Sequence, residues 1–147
     1  MAEVKKELVK MLNQALELEH SARIQYLTHA ELIKGIDAEP VIERLKEIAS
    51  DEEKHEGKFR NLLGNYLGVE PTMGIAETHK ATGTSQILQV NLGNEKEAID
   101  FYKKIYKLVM DNKQDFQYEL ETIEHELRHV IMDEQEHAAE LSTLLGK

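Results

Sequence analysis

The sequence predicts an all-α protein, a four-helix bundle with a long crossover between the second and third helices. Its 147 residues are rich in the helix formers Glu, Lys, Leu and Ala and contain only two prolines. Apolar residues recur at alternating steps of three and four along four stretches, which is typical of helices packed in a bundle. The length fits one compact domain, which we place at residues 1–147.

The first and second helices are predicted at about residues 2–34 and 39–67. Gly35 ends the first helix, and Pro40 suits the first turn of the second. The inward stripe of the first helix comprises Leu8, Leu12, Ala15, Glu19, Ala22, Tyr26, His29 and Ile33. The inward stripe of the second comprises Val41, Leu45, Ile48, Glu52, His55, Phe59, Leu62 and Tyr66.

The third and fourth helices are predicted at about residues 85–110 and 113–145. Asp111 and Asn112 form a short break between them, so these two helices should be antiparallel neighbours. The stripe of the third helix comprises Leu88, Glu95, Ala98, Tyr102, Ile105 and Val109. The stripe of the fourth comprises Phe116, Leu120, Ile123, Leu127, Val130, Glu134, His137, Leu141 and Leu144.

The connection at residues 69–84 contains Pro71, Gly74 and Gly83 and shows no sustained periodicity. Long loops are uncommon in compact domains, so its length needs a reason. A helix of this size is ~40 Å long at ~1.5 Å per residue. About sixteen extended residues at ~3.3 Å each can just return the chain along the bundle. We therefore predict a crossover that makes the second and third helices parallel.

Composition excludes several classes of function. The net charge of −10 argues against a duplex nucleic-acid partner, which needs a basic surface. The absence of cysteine excludes disulfides, thiolate metal sites and a rubredoxin-type iron site in this chain. The first ten residues lack a signal-peptide core, and no apolar run approaches membrane length. We therefore expect a cytoplasmic protein that has no membrane partner.

An Asp-Glu-x-x-His motif occurs at residues 51–55 and again at residues 133–137. The Glu and His of each copy stand three residues apart, so on a helix they project from one face. The first and third helices each add a Glu followed by a Tyr seven residues later, which makes the two halves of the chain resemble each other. Six metal-ligating side chains thus fall on inward stripes: Glu19, Glu52, His55, Glu95, Glu134 and His137.

Four carboxylates buried together in an apolar core repel one another and need neutralisation. Two divalent ions would bring four positive charges, and neutral imidazoles would complete their ligand shells. Oxygen ligands with one imidazole per ion suit iron or manganese. We therefore predict two iron ions per chain, with manganese as the alternative. The competing interpretation is that these polar residues only specify the packing of the bundle.

Neighbouring residues have two interpretations each. Tyr26 and Tyr102 are core tyrosines whose hydroxyl groups could also bond a ligand carboxylate from another helix. Asp51 and Asp133 either orient the metal-binding imidazoles or face solvent. His29 is expected to be a core histidine. The histidines off the stripes are expected to be exposed: His20, His79, His125 and His129.

The residues around Glu19 and the motif at residues 51–55 resemble the first two helices of bacterioferritins, and Ala22-Arg23 followed by Tyr26 is similar to rubrerythrins. Nearly the whole chain resembles the ferritin-like di-iron carboxylate superfamily. That resemblance implies that Glu19 and His55 bind one iron and that Glu95 and His137 bind the other. It also implies that Glu52 and Glu134 bridge the two ions.

The sequence departs from the family pattern at three points. Bacterioferritins carry a haem-ligating Met where this chain has Glu53, so haem is not expected. The short fifth helix of cage-forming ferritins is missing, which leaves a storage shell and a smaller homo-oligomer both open. Rubrerythrins usually carry a further Glu where this chain has Ala98, which weighs against a rubrerythrin-type peroxidase.

From these observations we expect an enzyme that oxidises Fe(II) with O2 or H2O2. Such a ferroxidase would act in iron handling, iron storage or protection from oxidative stress. One alternative is a rubrerythrin-like peroxide scavenger that stores no iron and takes electrons from a partner protein. The other is a non-enzymatic helical bundle with a structural metal such as Zn²⁺. The resemblance implies a homo-oligomer, either a dimer or a larger assembly.

Overall fold

The computed structural model describes residues 1–147 and contains four long helices. They are α1 (Glu3–Ala30), α2 (Ala38–Asn61), α3 (Thr84–Met110) and α4 (Leu120–Leu144). A π-helical turn at Leu62–Tyr66 continues α2, and a 3₁₀ turn at Lys113–Asp115 follows α3. There is no strand, so the predicted all-α four-helix bundle is confirmed. None of the helices is both long and apolar enough to cross a membrane.

The directions of the helices follow from hydrogen bonds between them. Tyr26 of α1 bonds Glu95 of α3, and Glu19 of α1 bonds Tyr102 of α3, so α1 and α3 are antiparallel. Helices α1 and α2 are antiparallel neighbours as well. Helices α2 and α3 therefore run parallel, as the length of the connection predicts. Helix α4 packs against α3 and α2 and closes the bundle.

The core consists of two apolar clusters separated along the bundle by a layer of polar side chains. The larger cluster includes Leu8, Leu12, Leu16, Phe59, Leu62, Ile105, Val109, Phe116, Ile123 and Leu127. The smaller one includes Ala30, Val41, Leu45, Ile48, Ile87, Leu88 and Leu141. The polar layer between them is therefore screened from solvent at both ends by close-packed hydrocarbon.

Two predicted helix boundaries are wrong. Helix α1 ends at Ala30 rather than near residue 34, and the chain turns at Gly35, whose φ of +113° favours glycine. Helix α4 begins at Leu120 rather than at residue 113. Phe116 is fully buried, but it fills the end of the bundle from a non-helical backbone with φ of −123° and ψ of 50°. A buried apolar residue in helical phase therefore does not establish that its own backbone is helical.

The crossover, residues 67–83, lies along α1 and is fixed to it by hydrogen bonds. The Thr72 backbone N–H donates to the Asn13 side chain at 2.9 Å, and the Ala76 N–H donates to the Glu17 carbonyl at 3.1 Å. Farther along, the His79 N–H donates to the side-chain oxygen of Gln25 at 2.7 Å. The crossover therefore covers the outer surface of α1 on its way to the start of α3.

Asn91 of α3 is the centre of a buried polar network that holds the crossover in place. Its amide nitrogen donates to His29 Nδ1 at 2.9 Å and to the Ile87 carbonyl at 2.8 Å, and its oxygen accepts from Gln25 at 2.9 Å. His29 Nε2 in turn donates to the His79 carbonyl at 3.0 Å. The expected core role of His29 is confirmed, because the side chain is buried and fully hydrogen-bonded.

We expect Asn91→Ala to destabilise the fold by about 1–3 kcal/mol, because it leaves Nδ1 of the buried His29 without a partner and removes one of two hydrogen bonds donated by the Gln25 amide. Urea unfolding followed by circular dichroism measures this change. Gln89→Ala is the matched control, since Gln89 lies on the same helix and is exposed. Equal unfolding free energies for the two variants would show that the network contributes nothing to stability.

Candidate metal centre

The polar layer in the middle of the bundle brings all six predicted ligands together. Two overlapping groups form, and within each group one ligand atom per residue lies within 4.8 Å of the others. The first group comprises Glu19, Glu52, His55 and Glu134, and the second comprises Glu52, Glu95, Glu134 and His137. Glu52 and Glu134 belong to both groups, which is the arrangement that two bridging carboxylates require. Their binding of metal stays a prediction.

The local helical geometry explains why these side chains meet. Glu52 and His55 stand one turn apart on α2, and His55 Nδ1 lies 3.3 Å from Glu52 Oε1. Glu134 and His137 repeat this relation on α4, with an Nδ1–Oε1 distance of 3.2 Å. Each histidine also approaches the Glu of the opposite motif, because α2 and α4 are neighbouring antiparallel helices.

Six buried polar atoms have no hydrogen-bond partner, and all six belong to these side chains. They are Glu19 Oε2, Glu52 Oε1, His55 Nδ1, Glu95 Oε2, Glu134 Oε1 and His137 Nδ1. An unpartnered buried polar atom costs about 1–3 kcal/mol, so six of them in one layer need an explanation. The unpartnered atoms are one from each predicted ligand, and each can coordinate a cation. The residues present therefore fit a pair of divalent metal ions.

Tyrosines support the two outer carboxylates across the bundle. Tyr26 of α1 donates its O–H to Glu95 at 2.6 Å, and Tyr102 of α3 donates its O–H to Glu19 at 2.7 Å. Each bond occupies one oxygen of its carboxylate and leaves the other, Oε2, without a partner. Both tyrosines therefore lie in the core, and the hydroxyl group of each bonds a predicted ligand carboxylate on another helix.

Aspartates hold the two imidazoles in a matching way. His55 Nε2 donates to Asp133 at 2.9 Å, and His137 Nε2 donates to Asp51 at 2.9 Å. Each aspartate belongs to the opposite motif, and each is partly exposed on the α2–α4 side. Because the aspartate accepts a hydrogen bond from Nε2–H, the proton stays on Nε2 and Nδ1 is the nitrogen that can bind an ion.

Burial changes the acidity of the carboxyl groups. Burial, reinforced by the charge of Glu134, raises the pKa of three of them: Glu19, Glu52 and Glu95. The pKa of Glu95 is raised to about 8. Burial acts to raise the pKa of Glu134 too, but the facing imidazoles of His137 and His55 outweigh it and hold that pKa well below its usual range. Without metal, protons retained by these carboxyl groups and the facing imidazoles therefore lower the negative charge of the layer.

The two histidines are correspondingly basic. Burial by itself lowers the pKa of His137, but the carboxylates of Glu134 and Glu95 outweigh burial and raise it to about 11. Burial is likewise outweighed at His55, where Asp133 and the ligand carboxylates hold the pKa well above its usual range. A metal ion must therefore displace the Nδ1 proton when it binds, so metal binding and proton release are linked.

A cavity of about 270 Å³ opens between α1, α3 and the crossover and reaches the oxygen atoms of the cluster. Glu52, Glu95 and Glu134 line its inner part, and the exposed residues Glu77 and Glu97 line its outer part. Small solutes can therefore reach the carboxylates from the α1–α3 side. The opposite, α2–α4 side carries the two aspartates.

Sequence reasoning missed a buried ion pair beside the centre. Glu56 of α2 is only 3% exposed and accepts a hydrogen bond from Arg23 of α1. The spacing of Glu56, one turn after Glu52, was the available signal.

The prediction that His20 is exposed is wrong, because its Nδ1 donates to the Gly74 carbonyl at 2.8 Å and its side chain is only 12% exposed. His129 was also predicted to be exposed and is half-buried, whereas His79 and His125 are exposed as predicted.

The chain forms a four-helix bundle with one long crossover, and the bundle encloses a buried cluster of four glutamates and two histidines. This combination defines a class of protein that carries groups able to bind metal inside a helical bundle. The family model for the ferritin-like domain matches residues 9–147. The chain belongs to this ferritin-like family. The sequence matches no curated protein closely enough to count as a relative.

Two solved structures are similar to this chain over nearly its whole length. One is described as a ferritin-like, diiron-carboxylate protein from Bacillus anthracis str. Ames. It is 27% identical, covers 99% of each chain and has a TM-score of 0.89. The other is bacterioferritin from Rhodobacter capsulatus, with a metal-free dinuclear site and a heme iron. It is 20% identical, covers 96% of this chain and 84% of that one, and has a TM-score of 0.84, which supports the fold alone.

We expect the metal-free protein to lose stability as the pH rises from about 6 to about 9. Glu95 and His137 have raised pKa values, about 8 and about 11, so the folded protein retains protons that the unfolded chain releases at lower pH. Urea unfolding of the chelator-treated protein at several pH values measures how the free energy of unfolding decreases with pH. Glu95→Gln should make this decrease smaller, whereas the exposed Glu97→Gln should not. A free energy of unfolding that increases with pH over this range would contradict the expectation.

We expect Tyr102→Phe and Tyr26→Phe each to weaken metal binding by about 10–100-fold, the usual effect of losing a partner that orients a ligand. Co(II) titration followed by visible absorbance measures the affinity. Tyr118→Phe is the control, because Tyr118 is 88% exposed and outside the centre. Unchanged affinity in both tyrosine variants would limit these residues to a packing role.

Proposed function

We propose that this chain binds two iron ions in its central layer and oxidises Fe(II) with O2 or H2O2 as a ferroxidase. One observation carries the proposal: the six unpartnered buried atoms each come from one member of two overlapping ligand groups. The layer lies between two apolar clusters, and none of its four glutamates and two histidines is more than 3% exposed. The diiron-carboxylate description of the Bacillus anthracis protein supports iron as the metal.

The side chains have distinct parts in this proposal. Glu19 with His55 would hold one ion, and Glu95 with His137 would hold the other. Glu52 and Glu134 would serve both, so that four carboxylates would balance the four charges of two Fe(II) ions. Iron supplies the one-electron redox chemistry when it is bound. Oxidation of two Fe(II) yields two electrons, which reduce O2 to H2O2 or H2O2 to water.

The surrounding groups keep the ligands in position while the charge of the layer changes. Tyr26 and Tyr102 hold the outer carboxylates by one oxygen each, which leaves the other oxygen free to bind. Asp51 and Asp133 keep the Nε2 protons of the imidazoles and counter their positive charge. The cavity on the α1–α3 side provides a path by which Fe(II) and a small oxidant could enter.

A homo-oligomer is a further part of the proposal, as is a cytoplasmic location. Three large apolar side chains are 39–47% exposed, Ile24 and Leu27 on α1 and Leu32 just after its end. Neighbouring exposed apolar residues favour contact with another protein surface. Whether the assembly stores iron as mineral follows from its size, which sedimentation of the iron-loaded protein measures.

Anaerobic Fe(II) titration followed by mixing with O2 or H2O2 tests the proposal. We expect about two Fe(II) per chain, as in other bundles with a paired carboxylate site, and rapid oxidation after mixing. Glu52→Ala combined with Glu134→Ala should abolish both, since these residues serve both ions. The matched control is Glu53→Ala combined with Glu136→Ala, which removes one exposed glutamate from each of the same two helices.

The other outcomes separate the alternatives. Fewer than about one iron or manganese per chain after loading would contradict the dinuclear proposal. Rapid turnover with H2O2 and an electron-donor protein, without accumulation of oxidised iron, would favour the peroxide scavenger. Zn²⁺ binding without any oxidation of Fe(II) would favour a structural metal. In the metal-free state the double Ala variant should be less stable than the parent protein, because loss of Glu134 leaves the imidazolium groups of His55 and His137 without a counter-charge that faces both.

A further inference from the structure

Helix α4 carries a second row of metal-ligating side chains on its outer surface, apart from the central layer. Glu121, His125, His129 and Asp133 follow one another at intervals of four residues, so they lie on one face of the helix. The imidazole rings of His125 and His129 are neighbours, with centroids 4.2 Å apart. His125 is exposed and His129 is half-buried, so neither ring is needed to fill the core.

The surroundings of His125 fix which of its nitrogens is available. Its Nδ1 lies 3.3 Å from Glu126 Oε1 and donates a hydrogen bond to that carboxylate. Glu126 is itself held by Lys58 of α2, at 3.4 Å. Because a carboxylate that accepts a hydrogen bond from Nδ1–H leaves the lone pair on Nε2, Nε2 is the nitrogen of His125 that can bind an ion.

The nearby cations do not oppose the binding of a metal ion. Arg128 donates to Glu124 at 2.8 Å, and Lys58 pairs with Glu126, so each positive charge has its own carboxylate. Glu121 and Asp133 add negative charge at the two ends of the row. Asp133 also accepts the hydrogen bond from His55, so the row ends beside the central layer on its α2–α4 side.

We propose that His125 and His129 form a second, surface metal site that takes a borderline divalent cation such as Ni²⁺, Zn²⁺ or Co²⁺. Two imidazoles one helical turn apart chelate such ions, and imidazole prefers them to Mg²⁺ or Ca²⁺. Water completes the ligand shell. The site uses none of the six residues of the central layer, so it can be tested separately from the ferroxidase proposal.

Ni²⁺ titration by isothermal calorimetry, together with paramagnetic broadening of the histidine ring signals in NMR spectra, tests this site. In the parent protein, bound Ni²⁺ should broaden the His125 and His129 ring signals. His125→Asn and His129→Asn should each weaken this binding by more than about tenfold, since even an orienting partner contributes about 10–100-fold. Glu126→Gln should weaken it less. The binding at the central layer should be unchanged in all three variants.

His79→Asn is the matched control, because His79 is exposed and its imidazole has no hydrogen bond. Thermal unfolding of each variant verifies that the fold is intact. Repeating the titration with Glu52→Ala combined with Glu134→Ala isolates the surface site from the central ions. Equal Ni²⁺ affinity in the parent and in the His125→Asn His129→Asn double variant would overturn the proposal, as would an equal loss in His79→Asn.

Discussion

Four glutamates buried in one layer of an apolar bundle are the constraint on which the rest of this structure depends. Their mutual repulsion and lost hydration would unfold a bundle of this size unless opposite charge entered the layer. The structure provides that charge in two forms. Imidazolium groups and carboxyl protons supply it in the metal-free state, and the unpartnered atoms are arranged so that cations can replace them.

The support of the layer is reciprocal between the two halves of the chain. Tyr26 and Tyr102 each bond a glutamate of the opposite half, and Asp51 and Asp133 each bond a histidine of the opposite motif. These four bonds join α1 to α3 and α2 to α4 at the same height in the bundle. The ligand geometry therefore depends on the register of all four helices, and a shift of one helix would disturb contacts on two others.

Most of the site could be predicted from the sequence, because number, spacing and phase of the glutamates and histidines agree on one inward layer. The exchange of partners between motifs could not, because helical phase fixes which face a residue occupies but not which neighbour it meets. The network around Asn91 was missed for a related reason. Polar residues such as Gln25 are buried only because the crossover covers α1. No local sequence pattern predicts this contact.

The sharing of Glu52 and Glu134 between the two ligand groups has a thermodynamic consequence. In the proposed dinuclear site, an ion in one position would fix the orientation of two carboxylates that the other position also needs, so the two affinities would be coupled equally in both directions. Occupancy of the layer is then a joint property of the pair rather than the sum of two independent equilibria. A chain with a single ion is an intermediate whose population reports the size of that coupling.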